Sequence, residues 1–92
     1  MYVNISIMKP NAGYEQQTID SMHRFSKAAR GQGGLKLVTT LRDASTGDLF
    51  GLAIWESEEA ARAASSAMMA AVENDDFNTW VADMKNFWLA EV

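Results

Sequence analysis

The chain has 92 residues, no cysteine, one histidine and a formal net charge of −4 at pH 7. Without cysteine it can form no disulfide, thiolate nucleophile or Cys-ligated cluster, and one histidine excludes a metal site that needs two imidazoles from one chain. An acidic chain repels phosphate backbones, so we expect no nucleic-acid partner. The single histidine leads us to expect no metal, although a carboxylate-rich site or a site shared by two chains stays open. We also expect no cofactor.

The chain has no apolar run of the roughly 18 residues that a membrane span needs, and its N-terminus lacks the basic and apolar blocks of a signal peptide. We therefore expect a cytoplasmic protein with no membrane partner. A length of 92 residues suits one domain, so residues 1–92 are predicted to form a single domain.

The first part of the chain predicts a strand followed by a helix. Residues 2–8 alternate, with Val3, Ile5 and Ile7 on one side, which is the period of a strand. Pro10 and the turn residues around it end that strand. From about residue 14 to 30, apolar side chains recur at steps of three and four, as on a helix, and a glycine-rich stretch then ends the helix.

The middle of the chain predicts a β-hairpin and a second helix. Residues 35–42 and 49–55 are rich in β-forming side chains, and residues 43–47 between them have the composition of a turn. The helix begins after Ser57, an N-cap residue, and extends to about residue 73 with alanine on its apolar side.

The end of the chain predicts a short helix and a last strand. Asp76 can cap a short helix through Phe77 and Trp80, and residues 87–92 are predicted to form the closing strand. The order β-α-β-β-α-β is that of the ferredoxin-like α+β fold, a four-stranded antiparallel sheet with both helices on one face.

The strands are apolar on both faces, which a sheet covered on one side does not explain. In residues 49–55, Phe50, Leu52 and Ile54 alternate with other apolar side chains. The simplest cover for the second face is the same sheet of another copy. We therefore expect a homodimer through the sheet face.

The sequence Ala-Ile-Trp-Glu-Ser-Glu-Glu-Ala-Ala at 53–61, the hairpin turn at 43–48 and the Lys-Pro pair that ends the first strand resemble the antibiotic biosynthesis monooxygenase (ABM) family. The resemblance implies a dimeric α+β barrel, with sheets packed face to face and a small-molecule cavity between each sheet and its own helices. Some members of this family oxidise phenolic rings without a cofactor, others open haem, and others only bind a ligand.

The sequence departs from the enzymatic members at two positions. Ala64 stands where many enzymes of the family carry a histidine, and where the haem-opening branch carries a tryptophan. The haem-binding histidine of that branch corresponds to about Asn74, so we expect no haem degradation. Two functions stay open: a cofactor-independent monooxygenase acting on a hydroxylated aromatic compound, or a non-catalytic module that binds a ligand or a partner.

The resemblance places polar strand residues opposite the alanine side of the second helix, where short side chains such as Gly51 could leave a cavity for a small apolar or aromatic ligand. Each candidate also has a structural explanation: polar groups satisfied by the protein itself, alanines packed closely, and aromatic or Met side chains in the core. The predicted pocket consists of Asn4, Ser6, Ala64, Met68, Phe77 and Trp80.

Three further residues have side chains that could serve a function. His23 could act as a base, but its position at the edge of the helical stripe favours a solvent-exposed side chain. Trp55 is predicted to be a structural plug at the end of the sheet. Arg42 is interpreted as a solvated charge, with anion binding as the alternative. No catalytic residue is predicted.

Overall fold

A computed structural model describes residues 1–92. Its elements are β1 (Tyr2–Pro10), α1 (Glu15–Arg30), β2 (Leu35–Arg42), β3 (Leu49–Trp55), α2 (Glu58–Ala70), α3 (Phe77–Trp80) and β4 (Val81–Ala90). The strands form one antiparallel sheet in the order β2-β3-β1-β4, which confirms the predicted ferredoxin-like α+β fold. None of the helices is both long and apolar enough to cross a membrane.

The helix boundaries follow from local capping. Ser57 accepts a hydrogen bond from the backbone N–H of Ala60 at 3.1 Å, as an N-cap should. At the other end, α2 stops at Ala70, three residues before the predicted end. There the backbone N–H of Val72 donates to the carbonyl of Met69 at 3.2 Å, so the last turn tightens and does not continue the helix.

The fourth strand is longer than the sequence predicts. β4 begins at Val81 and pairs with β1 from Pro10 to Tyr2, with a register shift at Lys9 and Pro10. Residues 82–90 are exposed, because α1 and α2 do not pack on this edge of the sheet. Its first half therefore has no buried side to impose an apolar alternation, and the sequence pattern there does not resemble that of a strand.

The sheet has two faces of different kinds. The inner face, covered in part by the helices, carries Asn4, Ala53 and Trp55, all of which are buried. The outer face has no helix over it, and by strand alternation it presents ten apolar side chains. These are Val3, Ile5, Ile7, Leu37, Leu41, Phe50, Leu52, Ile54, Phe87 and Leu89.

Trp55 is the centre of the hydrophobic core. Its ring is fully buried, and the other buried members of the cluster are Ala29, Ala53, Ala61, Ala64 and Met68. The loop before β2 packs closely against α2. Gly34 in this loop has a φ of +85°, and a Cβ there would lie 2.6 Å from the Cβ of Ala60. Only glycine satisfies both the backbone angle and the close approach at this position.

Candidate ligand-binding cavity

A cavity of about 250 Å³ lies between the inner face of the sheet and the helical layer. Nineteen residues line it, eleven of them hydrophobic, and none of the nineteen is charged or is a histidine. The polar side chains in the wall are hydroxyls and carboxamides. The cavity therefore combines apolar surface with a few neutral hydrogen-bonding groups, which is the usual character of a small-molecule site.

A polar row crosses the floor of the cavity. Thr40, Gly51, Ser6 and Asn86 lie side by side in register on the four strands, and all four line the cavity. Gly51 keeps the centre of this row open. A Cβ at Gly51 would lie 2.6 Å from the Oγ of Ser6 and 3.3 Å from the Cε of Met22, so any other residue would push these side chains aside.

The roof of the cavity comes mainly from α1. Ser21 and Ser26, both buried, lie near Met22 and Phe25 on the side of α1 that faces the sheet. The end of α2 and the start of α3 complete the wall with Met69, Val72 and Phe77. Serine hydroxyls at buried helical positions leave room that larger side chains would fill.

Asn4 lies on the wall with its amide already in use. Its side chain is buried, and Nδ2 donates a hydrogen bond to the backbone carbonyl of Phe87 at 3.1 Å. The protein thus satisfies one donor of this carboxamide itself. Asn4 fixes β4 against β1 and at the same time contributes polar surface to the cavity.

Two ion pairs on the elements around the cavity do not line it. Arg42 pairs with Glu15 of α1, and Arg24 donates to Asp75 with 2.6 Å between Nη2 and Oδ1. His23 is exposed and does not line the cavity. The described residues contain no group of three or more His, Cys, Asp or Glu side chains arranged to hold a metal ion.

The structure brings only part of the predicted pocket together. Asn4, Ser6 and Phe77 line the cavity, whereas Ala64 and Met68 are buried in the core around Trp55. Trp80 stacks edge-on against Phe77 at 6.3 Å between ring centroids and does not line the cavity. The open space expected at Ala64 is not part of this cavity, because Ala64 is buried in the cluster that contains Trp55 and Ala61.

Several wall residues were not among the predicted ones. Four of the six methionines, Met8, Met22, Met69 and Met84, line the cavity. Asn86 lies in the part of β4 that the sequence pattern did not identify as a strand. The serines of α1 were a usable signal, since two hydroxyls beside Met22 and Phe25 lie where a fully packed helix would carry larger apolar side chains.

No family model matches the chain, and no curated protein matches its sequence. Solved structures do match the fold of this chain. Rv0793 from Mycobacterium tuberculosis is 12% identical with a TM-score of 0.84, and the match covers 99% of this chain and 94% of that one. SnoaB from Streptomyces nogalater, a cofactor-independent oxygenase, is 13% identical with a TM-score of 0.78, covering 99% and 92%.

A protein from Nitrosomonas europaea that carries the name of the antibiotic biosynthesis monooxygenases is 13% identical with a TM-score of 0.77, and the match covers 100% of this chain and 99% of that one. The chain therefore has the fold of the ABM proteins over its whole length. Identities this low show the fold and not the chemistry, so the function has to be argued from the cavity.

Proposed function

We propose that the chain is an ABM-family protein whose cavity binds a small, flat, largely apolar molecule such as a hydroxylated aromatic compound. The observation that carries this proposal is the polar row of Thr40, Ser6 and Asn86 beneath an otherwise apolar space. Hydroxyls and a carboxamide can both donate to and accept from a phenolic hydroxyl, while the methionines and Phe25 contact the ring.

The dimensions of the cavity limit the ligand. At about 250 Å³ it is slightly smaller than the roughly 300–1,000 Å³ of typical ligand pockets, which corresponds to one ring or two fused rings. Methionine side chains are flexible and polarisable, so a wall containing four of them can adapt to related ring shapes. We expect a moderate affinity shared among several related aromatic alcohols.

Thermal unfolding in the presence of phenol, the naphthols and dihydroxynaphthalenes tests this proposal. A ligand at about 100 times its Kd stabilises the folded state by about 2.7 kcal/mol, which raises the unfolding midpoint measurably. Ser26→Phe places a ring in the roof and should abolish the shift. Ser66→Phe, on the exposed side of α2, is the matched control and should retain it. Equal shifts in both variants would count against this cavity.

Cofactor-independent oxygenation is the second candidate, and the structural similarity to SnoaB favours it. The cavity favours ligand binding over oxygenation as the first proposal, because no side chain in its wall can accept a proton from a phenol at neutral pH. Oxygen consumption by the protein with each aromatic that binds separates the two functions. Consumption that Ser26→Phe abolishes would establish an oxygenase, and binding without consumption would establish a binding module.

We also propose that two copies pair through the outer face. Several of its ten apolar side chains are strongly exposed in one chain, including Leu41 at 52% and Leu89 at 47%. An apolar sheet face of this extent is typical of an interface between subunits. Sedimentation at micromolar concentration should give a dimer, and Phe50→Lys, which lies on that face between Ile7 and Leu41, should shift it to monomer. A folded 10.2 kDa species for the unmodified chain would contradict the proposal.

A further inference from the structure

We propose that the cavity binds its ligand in the uncharged form at least tenfold more tightly than a carboxylate or phenolate built on the same ring. This inference rests on the proposed ligand binding and adds a rule for selecting among ligands. It predicts that the protein raises the pKa of a phenol that it binds.

The first observation is the uniform neutrality of the wall. None of its nineteen residues carries a charge, and Asn4 uses a side-chain N–H on the carbonyl of Phe87. The other polar groups are the hydroxyls of serines and threonines and the carboxamide of Asn86. Such groups solvate a neutral hydroxyl well, but they give an anion no opposite charge to offset the loss of water.

The second observation concerns the charges behind the wall. The two arginines nearest to it by sequence and register, Arg24 and Arg42, each pair with a carboxylate, so neither guanidinium is available to an anion in the cavity. Asp75, the partner of Arg24, is itself largely buried, and its Oδ2 has no hydrogen-bond partner. The charged residues between Val72 and Phe77 along the chain, Glu73, Asp75 and Asp76, are all acidic.

The remaining titratable and charged groups on the elements around the cavity do not line it. β3 contains none, and the lysine and aspartate of β4 alternate with its inner-face residues and so lie on the outer face. Tyr2 of β1 is half-buried, stacks on Trp88 and is not among the lining residues. The groups on the other elements, apart from Tyr2 and the two ion pairs, are exposed. They are Lys9 of β1, Asp20, His23, Lys27 and Arg30 of α1, Lys36 of β2, Glu58, Glu59 and Arg62 of α2, and Glu73 and Asp76 beside α3.

Two measurements test the inference. The first compares the affinities of 2-naphthol and 2-naphthoate, which share a ring system and differ in charge at neutral pH. We expect 2-naphthol to bind at least tenfold more tightly. The second measures the pKa of bound 4-nitrophenol, whose absorbance reports its ionisation directly. Titrated with pH in the presence of excess protein, its pKa should rise by one unit or more, which is a tenfold weaker binding of the phenolate, or about 1.4 kcal/mol.

A charge placed in the wall should reverse the preference. Asn86→Lys sets an ammonium group at the exposed end of the polar row, and we expect it to lower the pKa of bound 4-nitrophenol and to strengthen 2-naphthoate binding at least tenfold. Asn78→Lys makes the same change of net charge at an exposed position of α3 that does not line the cavity. It should leave both measurements as in the unmodified protein.

The possible outcomes distinguish a failure of this inference from a failure of the proposed ligand binding. Tighter binding of 2-naphthol with a raised pKa of 4-nitrophenol supports it. Binding of 2-naphthol and 2-naphthoate within threefold of each other, or a lowered pKa of 4-nitrophenol in the unmodified protein, would overturn it while leaving ligand binding in place. If none of the three aromatics bound, the proposed function would fail together with the inference.

Discussion

The same helix–sheet interface is packed at one end and hollow at the other. Around Trp55, alanines of α1, α2 and β3 close on a single large ring and leave no space. Around Gly51, α1 presents Ser21 and Ser26 to a floor that has no side chain at its centre, and a cavity of about 250 Å³ remains. Both ends contain small side chains, which are alanines at the packed end and serines with Gly51 at the hollow end.

The difference lies in what accompanies the small side chains. At the packed end, the buried alanines belong to one cluster with the large side chains of Trp55 and Met68. At the hollow end, Ser21 and Ser26 of α1 and Gly51 and Ser6 of the sheet all line the cavity, and the Cε of Met22 is the atom of α1 that comes near Gly51. A helix is too stiff to bend down over a few residues, so its distance from the sheet is set elsewhere along its length and the gap persists.

Removing the large ring tests the packed end most severely. Trp55→Ala should lower the free energy of unfolding by about 3–5 kcal/mol, because it leaves a ring-sized hole in a closed core. Trp88→Ala makes the same change at the cavity wall, where the side chain is 46% exposed, and should cost about 1 kcal/mol through its stacking on Tyr2. Urea unfolding at fixed protein concentration compares them, and equal losses would erase the distinction between the two ends.

Overfilling the packed end should have the next largest effect. Ala64→Phe forces a ring into space already occupied by Trp55 and Met68, and we expect a loss of about 1–3 kcal/mol. For a domain of this size the unfolding midpoint should fall by roughly 5 °C or more. Ser66→Phe, exposed on the same helix, should change it little. An unchanged midpoint for Ala64→Phe would mean that space exists beside Ala64 after all.

A smaller effect is expected at the floor of the cavity. Gly51→Ala brings a methyl group to within 2.6 Å of the Ser6 Oγ, which must rotate away, and we expect a loss of about 1 kcal/mol. In a Ser6→Ala background the obstructing oxygen is absent, so the same change should cost less. A double-mutant cycle should give a coupling of about 0.5 kcal/mol or more. Full additivity would show that the two side chains do not contact each other.

The smallest expected effect is in the hairpin turn at residues 43–47, which belongs to neither end of the helix–sheet interface. The side-chain hydroxyl of Ser45 donates a hydrogen bond to the Asp43 carboxylate, and so do the backbone N–H groups of Ser45 and Thr46. These bonds, the hydroxyl's above all, hold the pKa of that carboxyl below its usual range. A lowered folded-state pKa stabilises the fold above the unfolded value of roughly 3.9, and that stabilisation is lost as the pH falls through the folded value.

Asp43→Asn keeps an acceptor oxygen in the turn but does not titrate there. Its unfolding midpoint should therefore fall less steeply than that of the unmodified protein between about pH 5 and about pH 2. Thermal unfolding across this range measures the two slopes. Parallel slopes would show that the turn contributes nothing to the acid sensitivity, and both proteins should respond alike near neutral pH.

The sequence predicted the fold well because its signals are local. Ser57 and Asp76 are N-caps as predicted, and the hairpin strands have the predicted bounds of 35–42 and 49–55. The errors lie where local signals are weak. α2 ends early through a tightened turn among good helix formers, and the exposed first half of β4 has no buried face to give it a strand pattern.

The cavity was less predictable than the fold, since its position depends on which small residues face each other across the two layers. Of the predicted pocket residues, Asn4, Ser6 and Phe77 line the cavity. Ala64 and Met68 belong to the buried cluster that contains Trp55 and do not line it. A sequence read one element at a time identifies the apolar side of a helix but not the side chain that will oppose each position.

The free edge of β4 has a consequence for how this protein would aggregate. Asp83 and Lys85 place charges in the first half of the strand, whereas residues 86–90, Asn-Phe-Trp-Leu-Ala, have none. Backbone groups along this edge have no neighbouring strand within the chain, and uncharged edges rich in aromatic residues can serve as templates for intermolecular strand addition. The last five residues of β4 are thus the segment from which fibrillar association of isolated chains would begin.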